Sequence, residues 1–432
     1  MSAPQEGAAP EQGSSADERD AQIAPAYGGQ SIVNLHRSLL DAFGVDSGLA
    51  TPPISDPRLA ELLGGARRII VYLIDALGYR ALQQVRTRGE LPLLERLIAA
   101  GSFLPLTSVF PSATNNVLQS FHTGLPPLEH GFAGYRLYLE EPGVVGEMIQ
   151  FTVHRDGPKP QPRESLLDHG VKPEDFALPT LFERLSWAGI PSTVVFRHNL
   201  LASHLSSLNH RGCGRIVPFV DTADQMVRLR ELLRVAPAER DYIYTYWDSI
   251  DTIQHVYGAA GEAMEAELAK ILFSLERELL SRLTPEDASG VVLLVVSDHG
   301  QINVPREGYV SLFERPEVLE HLERPLAGNE RVSYLRAKEG HVEALHTVLG
   351  HALPAGFRVV PTETVLTSGL LGPGEPHEAL RSRLGDLVVF APPGRALDHR
   401  EEEKRAGGMH GGLTSEEMLI PCLAVDLGLL CR

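Results

Sequence analysis

Short runs of consecutive apolar residues recur along the chain, separated by stretches with helical spacing of apolar positions. The two strongest runs cover residues 67–75 (RRIIVYLID) and 290–300 (GVVLLVVSDHG), and an aspartate follows the apolar residues in each. Such a run, without polar alternation, is typical of a strand buried on both faces of a parallel sheet. Further strands are predicted at residues 103–109, 190–196, 242–247 and 386–391.

Amphipathic stretches between these runs predict helices. The stretches cover residues 31–43, 56–63, 82–100, 180–188, 223–235 and 263–283, and a last apolar element is expected at 416–425. Alternating strands and helices favour an α/β fold with a mostly parallel central sheet and helices on both faces.

Three segments depart from this alternation. Residues 1–28 are rich in Ala, Pro, Glu, Gln, Gly and Ser, which predicts a disordered tail before a domain of residues 29–432. Charged and Pro-rich sequence at 135–178 predicts a surface insertion near the site, and two extended runs around a helix at 304–395 predict a small α+β insertion.

Composition narrows the possible partners. The chain has 432 residues, 43% of them hydrophobic, with 39 Lys and Arg against 56 Asp and Glu, a formal net charge of −17. This charge argues against binding to polymeric nucleic acid or an anionic membrane. There is no secretory signal pattern and no apolar run of about 18 residues. With only three cysteines and no CxxC pair, a cytoplasmic location is expected.

Acidic and histidine side chains lie near the ends of the predicted strands. Asp75 and Asp298 with His299 follow the two strongest runs, Asp251 and His255 share one face of a helix, and His410 lies among glycines. Each has a simpler explanation as a turn residue, a solvated helix face or a loop residue. Together they suit a metal site, with Zn²⁺ favoured and Mn²⁺ or Fe²⁺ as alternatives.

A hydroxyl is predicted at the start of a helix in residues 108–131. Thr114 is that candidate, with Ser112 as a cap and Gly124 as the helix end. An ordinary capped helix is the alternative interpretation. His122, Tyr246 and Trp247 are interpreted as packing residues.

An ordered set of motifs resembles the alkaline phosphatase superfamily, and within it the nucleotide pyrophosphatase/phosphodiesterase branch. The motifs are Leu-Ile-Asp75-Ala-Leu-Gly, Phe-Pro-Ser-Ala-Thr114, Thr123-Gly-Leu-Pro-Pro-Leu-Glu-His-Gly, Asp251-xxx-His255, Ser-Asp298-His299-Gly and Met-His410-Gly-Gly. The resemblance runs from about residue 67 to 425 and implies a three-layer alkaline-phosphatase-like catalytic domain.

The resemblance also implies a metal-dependent phosphoesterase that cleaves phosphodiester or pyrophosphate bonds in a small-molecule substrate such as a nucleotide. Thr114 is the implied nucleophile, forming a phospho-threonine intermediate. One of two divalent ions is implied at Asp251, His255 and His410, and the other at Asp75, Asp298, His299 and the Thr114 oxygen. The resemblance does not indicate an oligomeric state.

Two departures from the branch concern substrate recognition. Phe110-Pro111 precedes the threonine instead of following it, and Gly134-Tyr135-Arg136 stands where the branch has a phosphate-binding asparagine. The candidate substrate residues are therefore Asn115, Asn116, Tyr135 and Arg136. The alternatives are a phosphomonoesterase, a phosphoglycerate-mutase-like phosphotransferase and a non-catalytic metal-binding module. A sulfatase is disfavoured because a CxPxR-like motif is missing.

Overall fold

The structure is a computed structural model. It describes residues 22–155, 162–235, 239–399 and 405–431. Most of the predicted N-terminal tail and residues 156–161 of the predicted surface insertion lie outside the described residues. Within these ranges, no helix combines the length and the hydrophobicity that a membrane span requires.

Residues 22–28 differ from the predicted tail because they pack on the domain. The Ile23 amide donates to the carbonyl of Leu413 at 2.7 Å. Tyr27 is buried, and its hydroxyl donates to the carbonyl of Leu370 at 2.9 Å. The apolar side chains of these two residues hold the segment against the protein, so the folded domain includes residues 22–28.

Strands of the described chain are numbered in sequence order. They are β1 Arg68–Ile74, β2 Ser102–Thr107, β3 Arg136–Leu139, β4 Val144–Glu147, β5 Thr152–His154, β6 Ser192–Arg197, β7 Arg215–Phe219, β8 Asp241–Trp247, β9 Val291–Val296, β10 Ile302–Asn303, β11 Tyr309–Ser311, β12 Ala327–Gly328, β13 Val332–Leu335, β14 Arg358–Pro361, β15 Leu387–Phe390, β16 Ala396–Asp398, β17 Gly408–Met409 and β18 Leu419–Asp426.

Seven of these strands form a central sheet in the order β2-β18-β9-β1-β8-β6-β7. Strands β9, β1, β8, β6 and β7 pair in parallel, while β18 runs antiparallel to both β9 and β2. The predicted mostly parallel sheet is confirmed. Its carboxyl edge gathers the ends of β1, β8 and β9, where ligand sites lie in open α/β sheets.

Strand β1 shows why the apolar runs become central strands. All seven of its residues are buried. Its odd-numbered apolar residues pack in one hydrophobic layer and its even-numbered ones in the other: Ile69, Val71 and Leu73 against Ile70, Tyr72 and Ile74. Because side chains alternate between faces, a strand covered by helices on both sides is apolar throughout.

Helices cover both faces of this sheet. The longer helices of the described chain are Ile32–Ala42, Pro57–Gly65, Tyr79–Arg88, Pro92–Ala100, Thr114–Thr123, Thr222–Leu233, Ser249–Tyr257, Glu262–Ser274 and Val342–Ala352. Shorter α-helical segments are Pro127–His130, Leu181–Trp187, His204–Asn209, Pro285–Ala288, Pro316–Leu319, Thr362–Thr367, Leu380–Leu384, Ser415–Met418 and Leu427–Leu430.

Two helix predictions were wrong in extent. The single helix expected over 82–100 is two helices, because Gly89 adopts a left-handed conformation (φ 70°) and Pro92 starts a second helix. The helix expected over 263–283 is regular only to Ser274 and continues as a wider π turn at Leu275–Leu279.

A second seven-stranded sheet joins the two segments that the sequence treats as separate insertions. Its order is β14-β15-β13-β12-β3-β4-β5. Strands β3 to β5 come from residues 135–178 and the other four from residues 304–395, and they meet where Gly328 pairs with Arg136. The 135–178 segment is thus the end of an extended sheet, and its strands are largely buried instead of lying on the surface.

A buried ion pair connects this second sheet to the loop that carries His410. Arg331 is 1% exposed, and its Nε donates to Oε1 of Glu417 at 2.9 Å. The same carboxylate accepts from the Gly412 amide at 2.8 Å and from the Thr414 hydroxyl at 2.7 Å. Because the pair is fully buried, removing one partner leaves an uncompensated charge, which costs about 3–5 kcal/mol.

Buried histidines outside the site make the fold sensitive to acid. Burial lowers the pKa of His36, His130 and His210 to about 3 each. A histidine in the unfolded chain binds a proton below about pH 6.5, whereas these three do not. The unfolded state therefore gains protons as pH falls from about 6.5 towards 3, and each histidine lowers the free energy of unfolding by about 2 kcal/mol at pH 5.

His210→Phe tests this effect, because the ring lies within an aromatic cluster, 4.7 Å from the Phe196 ring between centroids. The free energy of unfolding falls from pH 7 to pH 5, and we expect this fall to be about 2 kcal/mol smaller in the variant than in the wild type. Urea unfolding at both pH values measures it. The exposed His351→Phe serves as the control and is expected to show the wild-type difference. An unchanged pH dependence in His210→Phe would contradict the assignment.

Candidate active site

The carboxyl edge of the central sheet brings together the seven residues predicted as metal ligands. Asp75 follows β1 directly, Asp298 and His299 follow β9, and Asp251 with His255 lies on the helix after β8. His410 reaches the same point from the loop after β17, and Thr114 from the first position of the helix Thr114–Thr123.

Their ligand atoms form two overlapping groups. Asp75, Asp298 and His299 make one, and Asp251, His299 and His410 make the other, with the chosen atoms of each group within 4.8 Å of one another. The Nε2 atom of His299 is 3.5 Å from Oδ1 of Asp75 and 3.5 Å from Oδ2 of Asp298. Oδ1 of Asp251 lies 3.4 Å from His255 Nε2 and 3.7 Å from His410 Nε2.

Backbone carbonyls orient all three histidines. Nδ1 of His255 lies 2.8 Å from the carbonyl of Gly408, Nδ1 of His410 lies 2.9 Å from that of Ser112, and Nδ1 of His299 lies 3.2 Å from that of Gly300. A carbonyl only accepts, so each Nδ1 carries the proton and donates it. The Nε2 atom of each ring then faces the cluster, in the arrangement that metal-bound histidines adopt.

Two carboxylate oxygens in the cluster have no hydrogen-bond partner among the described residues. They are Oδ1 of Asp75 and Oδ2 of Asp298, both buried. Burial, together with repulsion from Asp298 and Asp251, raises the pKa of Asp75 well above its ordinary value, and burial raises the pKa of Asp298 to about 6. A divalent cation relieves both the repulsion and the missing bonds, so the residues present fit metal ions.

Thr114 is the first residue of the helix Thr114–Thr123, and its hydroxyl faces Nε2 of His299. Its Oγ1 is 3.1 Å from Nε2 of His299, and it is 8% exposed. The helix begins after Ala113, whose side chain cannot cap it. Ser112 is not the predicted cap, because its hydroxyl donates to the carbonyl of Gly412 at 2.9 Å. The unpaired amides of the first helical turn favour an anion beside the threonine hydroxyl.

The two asparagines proposed to contact substrate hold the backbone instead. Nδ2 of Asn115 donates to the carbonyl of Gly134 at 2.6 Å, and Oδ1 of Asn116 accepts from the Gly134 amide at 2.9 Å. Both side chains are fully buried. The structure therefore places them behind the turn that carries Tyr135 and Arg136, not on the cavity surface.

Arg136 lines the cavity but is paired. Its Nη1 lies 2.7 Å from Oε1 of Glu330, and its Nε lies 3.4 Å from Oε1 of Glu147. The guanidinium also lies 5.3 Å from the centre of the Tyr135 ring. Two carboxylates thus surround the positive charge that the sequence offered as a phosphate-binding group.

Family comparison agrees with this arrangement. Residues 69–413 match the family model described as type I phosphodiesterase / nucleotide pyrophosphatase. The chain belongs to the type I phosphodiesterase / nucleotide pyrophosphatase family. It is a hydrolase that acts on phosphoric ester bonds, and the predicted relationship to the alkaline phosphatase superfamily is confirmed.

Solved structures share the fold of this phosphodiesterase-family chain. A murine ectonucleotide pyrophosphatase/phosphodiesterase 5, an inactive threonine-to-alanine form in complex with AMP, aligns with a TM-score of 0.62 and 16% identity, over 83% of this chain and 88% of that one. The human counterpart aligns with a TM-score of 0.60 and 17% identity, over 83% and 87%.

A bacterial structure shares the fold as well. Phosphonoacetate hydrolase from Sinorhizobium meliloti, in complex with phosphonoformate, aligns with a TM-score of 0.59 and 19% identity, over 83% of this chain and 90% of that one. Comparison with curated proteins gave no significant match.

Sequence reasoning missed two neighbours of the ligands in this family member. The Tyr246 hydroxyl, interpreted as packing, donates to Oδ2 of Asp75. Gln301 donates through Nε2 to Oδ1 of Asp251 at 2.6 Å. A signal for each was present: Tyr246 lies one residue before the end of β8, the strand next to β1, and Gln301 follows the Asp298-His299-Gly motif.

Proposed function

We propose that this hydrolase cleaves phosphodiester or pyrophosphate bonds in a small molecule, with Thr114 as nucleophile beside two divalent metal ions. One observation carries the proposal. The Thr114 hydroxyl lies 3.1 Å from Nε2 of His299, which is itself 3.5 Å from each of two buried carboxylate oxygens that have no hydrogen-bond partner among the described residues.

Two sets of side chains would hold the ions. Asp251, His255 and His410 would hold one, and Asp75, Asp298 and His299, with the Thr114 oxygen, the other. Zn²⁺ suits this mixture of carboxylates and imidazoles, with Mn²⁺ and Fe²⁺ as alternatives. When bound, two such ions supply the positive charge that a phosphoryl group needs and lower the pKa of a neighbouring hydroxyl.

Thr114 then acts in two steps. Its oxygen bonds to phosphorus while the bond from phosphorus to the leaving oxygen breaks and the hydroxyl proton passes to that oxygen, giving an alcohol or phosphate product and a phospho-threonine that still carries the other ester group of the substrate. Water then breaks the bond between phosphorus and the Thr114 oxygen, which restores the hydroxyl and releases a phosphomonoester. The inactive state of the murine threonine-to-alanine protein supports a threonine in this role.

The pairing of Arg136 with two carboxylates favours a phosphodiester as the substrate over the alternative, a phosphomonoester. Monoesters carry close to two negative charges at neutral pH, so their hydrolases benefit from an extra unpaired cation. Arg136 already has Glu330 at 2.7 Å and Glu147 at 3.4 Å. The AMP bound to the murine structure supports a nucleotide as the substrate class.

Hydrolysis of paired chromogenic esters tests the proposal. The p-nitrophenyl ester of thymidine 5′-monophosphate, a diester, and p-nitrophenyl phosphate, a monoester, are assayed with Zn²⁺ or Mn²⁺ and after chelation. We expect the diester to be preferred in kcat/KM and chelation to abolish turnover. Equal turnover with and without metal would overturn the two-metal site, and a preference for the monoester would overturn the substrate class.

A further inference from the structure

We propose that Glu330 is a specificity-determining residue, which keeps the charge of Arg136 from the phosphoryl group and thereby excludes phosphomonoesters and inorganic phosphate. This inference rests on the proposed function. It concerns a feature that the sequence did not predict, because Glu330 and Arg136 are 194 residues apart in the chain.

Both residues share a cavity with the proposed nucleophile. The cavity has a volume of about 370 Å³, and its lining includes Thr114, Arg136, Glu147, Glu330 and His410. A phosphoryl group attacked by Thr114 would therefore lie in the same cavity as the guanidinium and its carboxylate partners. In a protein cavity, charges act on one another more strongly than in bulk water.

A tight turn of the second sheet fixes Glu330 over the cavity. The turn lies between β12 and β13 and is closed by hydrogen bonds in both directions between the backbones of Asn329 and Val332. Burial raises the pKa of Glu330, but the charge of Arg136 outweighs it and holds that pKa well below its ordinary value. The carboxylate is thus ionised at neutral pH and forms a charge-assisted bond to Nη1 of Arg136.

Glu147, the second carboxylate, has its own partner. Oε1 of Glu147 lies 3.0 Å from Nδ1 of His154, and Nε2 of His154 lies 3.0 Å from the carbonyl of His399. A carbonyl only accepts, so Nε2 of His154 donates to it. Oε1 of Glu147 is thus shared between His154 at 3.0 Å and Nε of Arg136 at 3.4 Å, whereas Glu330 lies closer to Arg136, at 2.7 Å.

The charges of Arg136 and Glu330 cancel each other. Arg136 contributes one positive charge and Glu330 one negative charge, and they lie 2.7 Å apart. A phosphodiester with one negative charge meets no net repulsion from this pair. The second charge of a monoester, or of inorganic phosphate, meets the Glu330 carboxylate, while the charge of Arg136 is already matched by that carboxylate.

Glu330→Gln tests the inference because glutamine keeps the shape and one acceptor oxygen but removes the charge. We expect the ratio of kcat/KM for p-nitrophenyl phosphate to kcat/KM for the thymidine diester to rise about tenfold or more, which equals about 1.4 kcal/mol. Inorganic phosphate should inhibit diester hydrolysis at a correspondingly lower concentration, because Arg136 is released towards the phosphoryl group.

A double variant identifies Arg136 as the group that is released. The combination of Arg136→Met and Glu330→Gln removes both charges. We expect this double variant to lose the gain in monoester turnover that Glu330→Gln alone produces. Glu276→Gln is the matched control, since Glu276 pairs with Arg96 at 2.7 Å on the exposed surface. It should keep the wild-type ratio. Circular dichroism confirms that each variant is folded.

The outcomes separate the inference from the proposed function. If the wild type hydrolyses the diester and Glu330→Gln leaves both the ratio and phosphate inhibition unchanged, the inference fails and the proposed function stands. If the double variant keeps the gain, Arg136 is not the group released. If the wild type hydrolyses no diester, the proposed function fails. Calorimetric titration with inorganic phosphate then still tests Glu330, and equal affinity in wild type and variant overturns its role.

Discussion

Replacing Thr114 by alanine is expected to lower kcat for the thymidine diester by about 10⁴-fold or more, as is typical when an enzyme loses its nucleophile. The variant removes the hydroxyl, with its contact to His299, and one methyl group. The carboxylates and the other ring nitrogens are untouched, so metal content, measured by inductively coupled plasma mass spectrometry, should stay near that of the wild type.

Thr114→Ser provides the matched comparison, because it keeps an oxygen at the same place and should retain part of the activity. The exposed Thr347→Ala controls for the change in composition. Acid quenching during turnover of the thymidine diester, followed by mass spectrometry of the peptide that contains Thr114, should detect this residue esterified to thymidine 5′-monophosphate in the wild type. Full activity in Thr114→Ala would rule out this threonine as the nucleophile.

Asp298→Asn is expected to abolish activity through the loss of metal. Asp298 is fully buried, and its Oδ2 has no partner among the described residues. An amide donates where a metal needs an acceptor, so the metal content measured by the same method should fall below that of the wild type. The exposed Asp168→Asn should keep both activity and metal.

The same variant should be more stable than the wild type when both are free of metal. The pKa of Asp298 is raised to about 6, so near neutral pH the folded state pays for an ionised carboxylate beside Asp75. A group with a raised folded pKa lowers stability as pH rises from about 4 to 6. Asparagine has no charge and removes this loss of stability, which the pKa shift puts at roughly 2–3 kcal/mol. Urea unfolding at pH 7 in the presence of a chelator measures the difference in the free energy of unfolding between variant and wild type. Lower stability of Asp298→Asn there would contradict the electrostatic explanation.

The sequence predicted those parts of the site that short segments encode. Asp75 and Asp298 follow short, continuous apolar runs that already indicate buried strands, and the spacing of Asp251 and His255 holds on the helix Ser249–Tyr257. Thr114 begins a helix that Gly124 ends in a left-handed conformation, as its sequence indicates. In these cases, one stretch of chain fixes both the local structure and the direction of the side chain.

Other parts depend on pairing between distant segments, which local patterns do not contain. The contact between Arg136 and Glu330 forms only because β3 and β12 meet in the second sheet. The alignment of Tyr246 with Asp75 likewise depends on β8 pairing with β1. Asn115 and Asn116 looked available in sequence but are used by the backbone of Gly134.

The buried pair between Arg331 and Glu417 has a consequence for recombining this protein with its relatives. Arg331 belongs to the second sheet, whereas Glu417 holds the loop after His410. A chimera that replaces residues 304–395 without an arginine at this position would leave Glu417 charged in the interior and loosen a proposed metal ligand far along the chain. The exchangeable unit therefore extends through residue 418, and substrate preference and metal retention are inherited together.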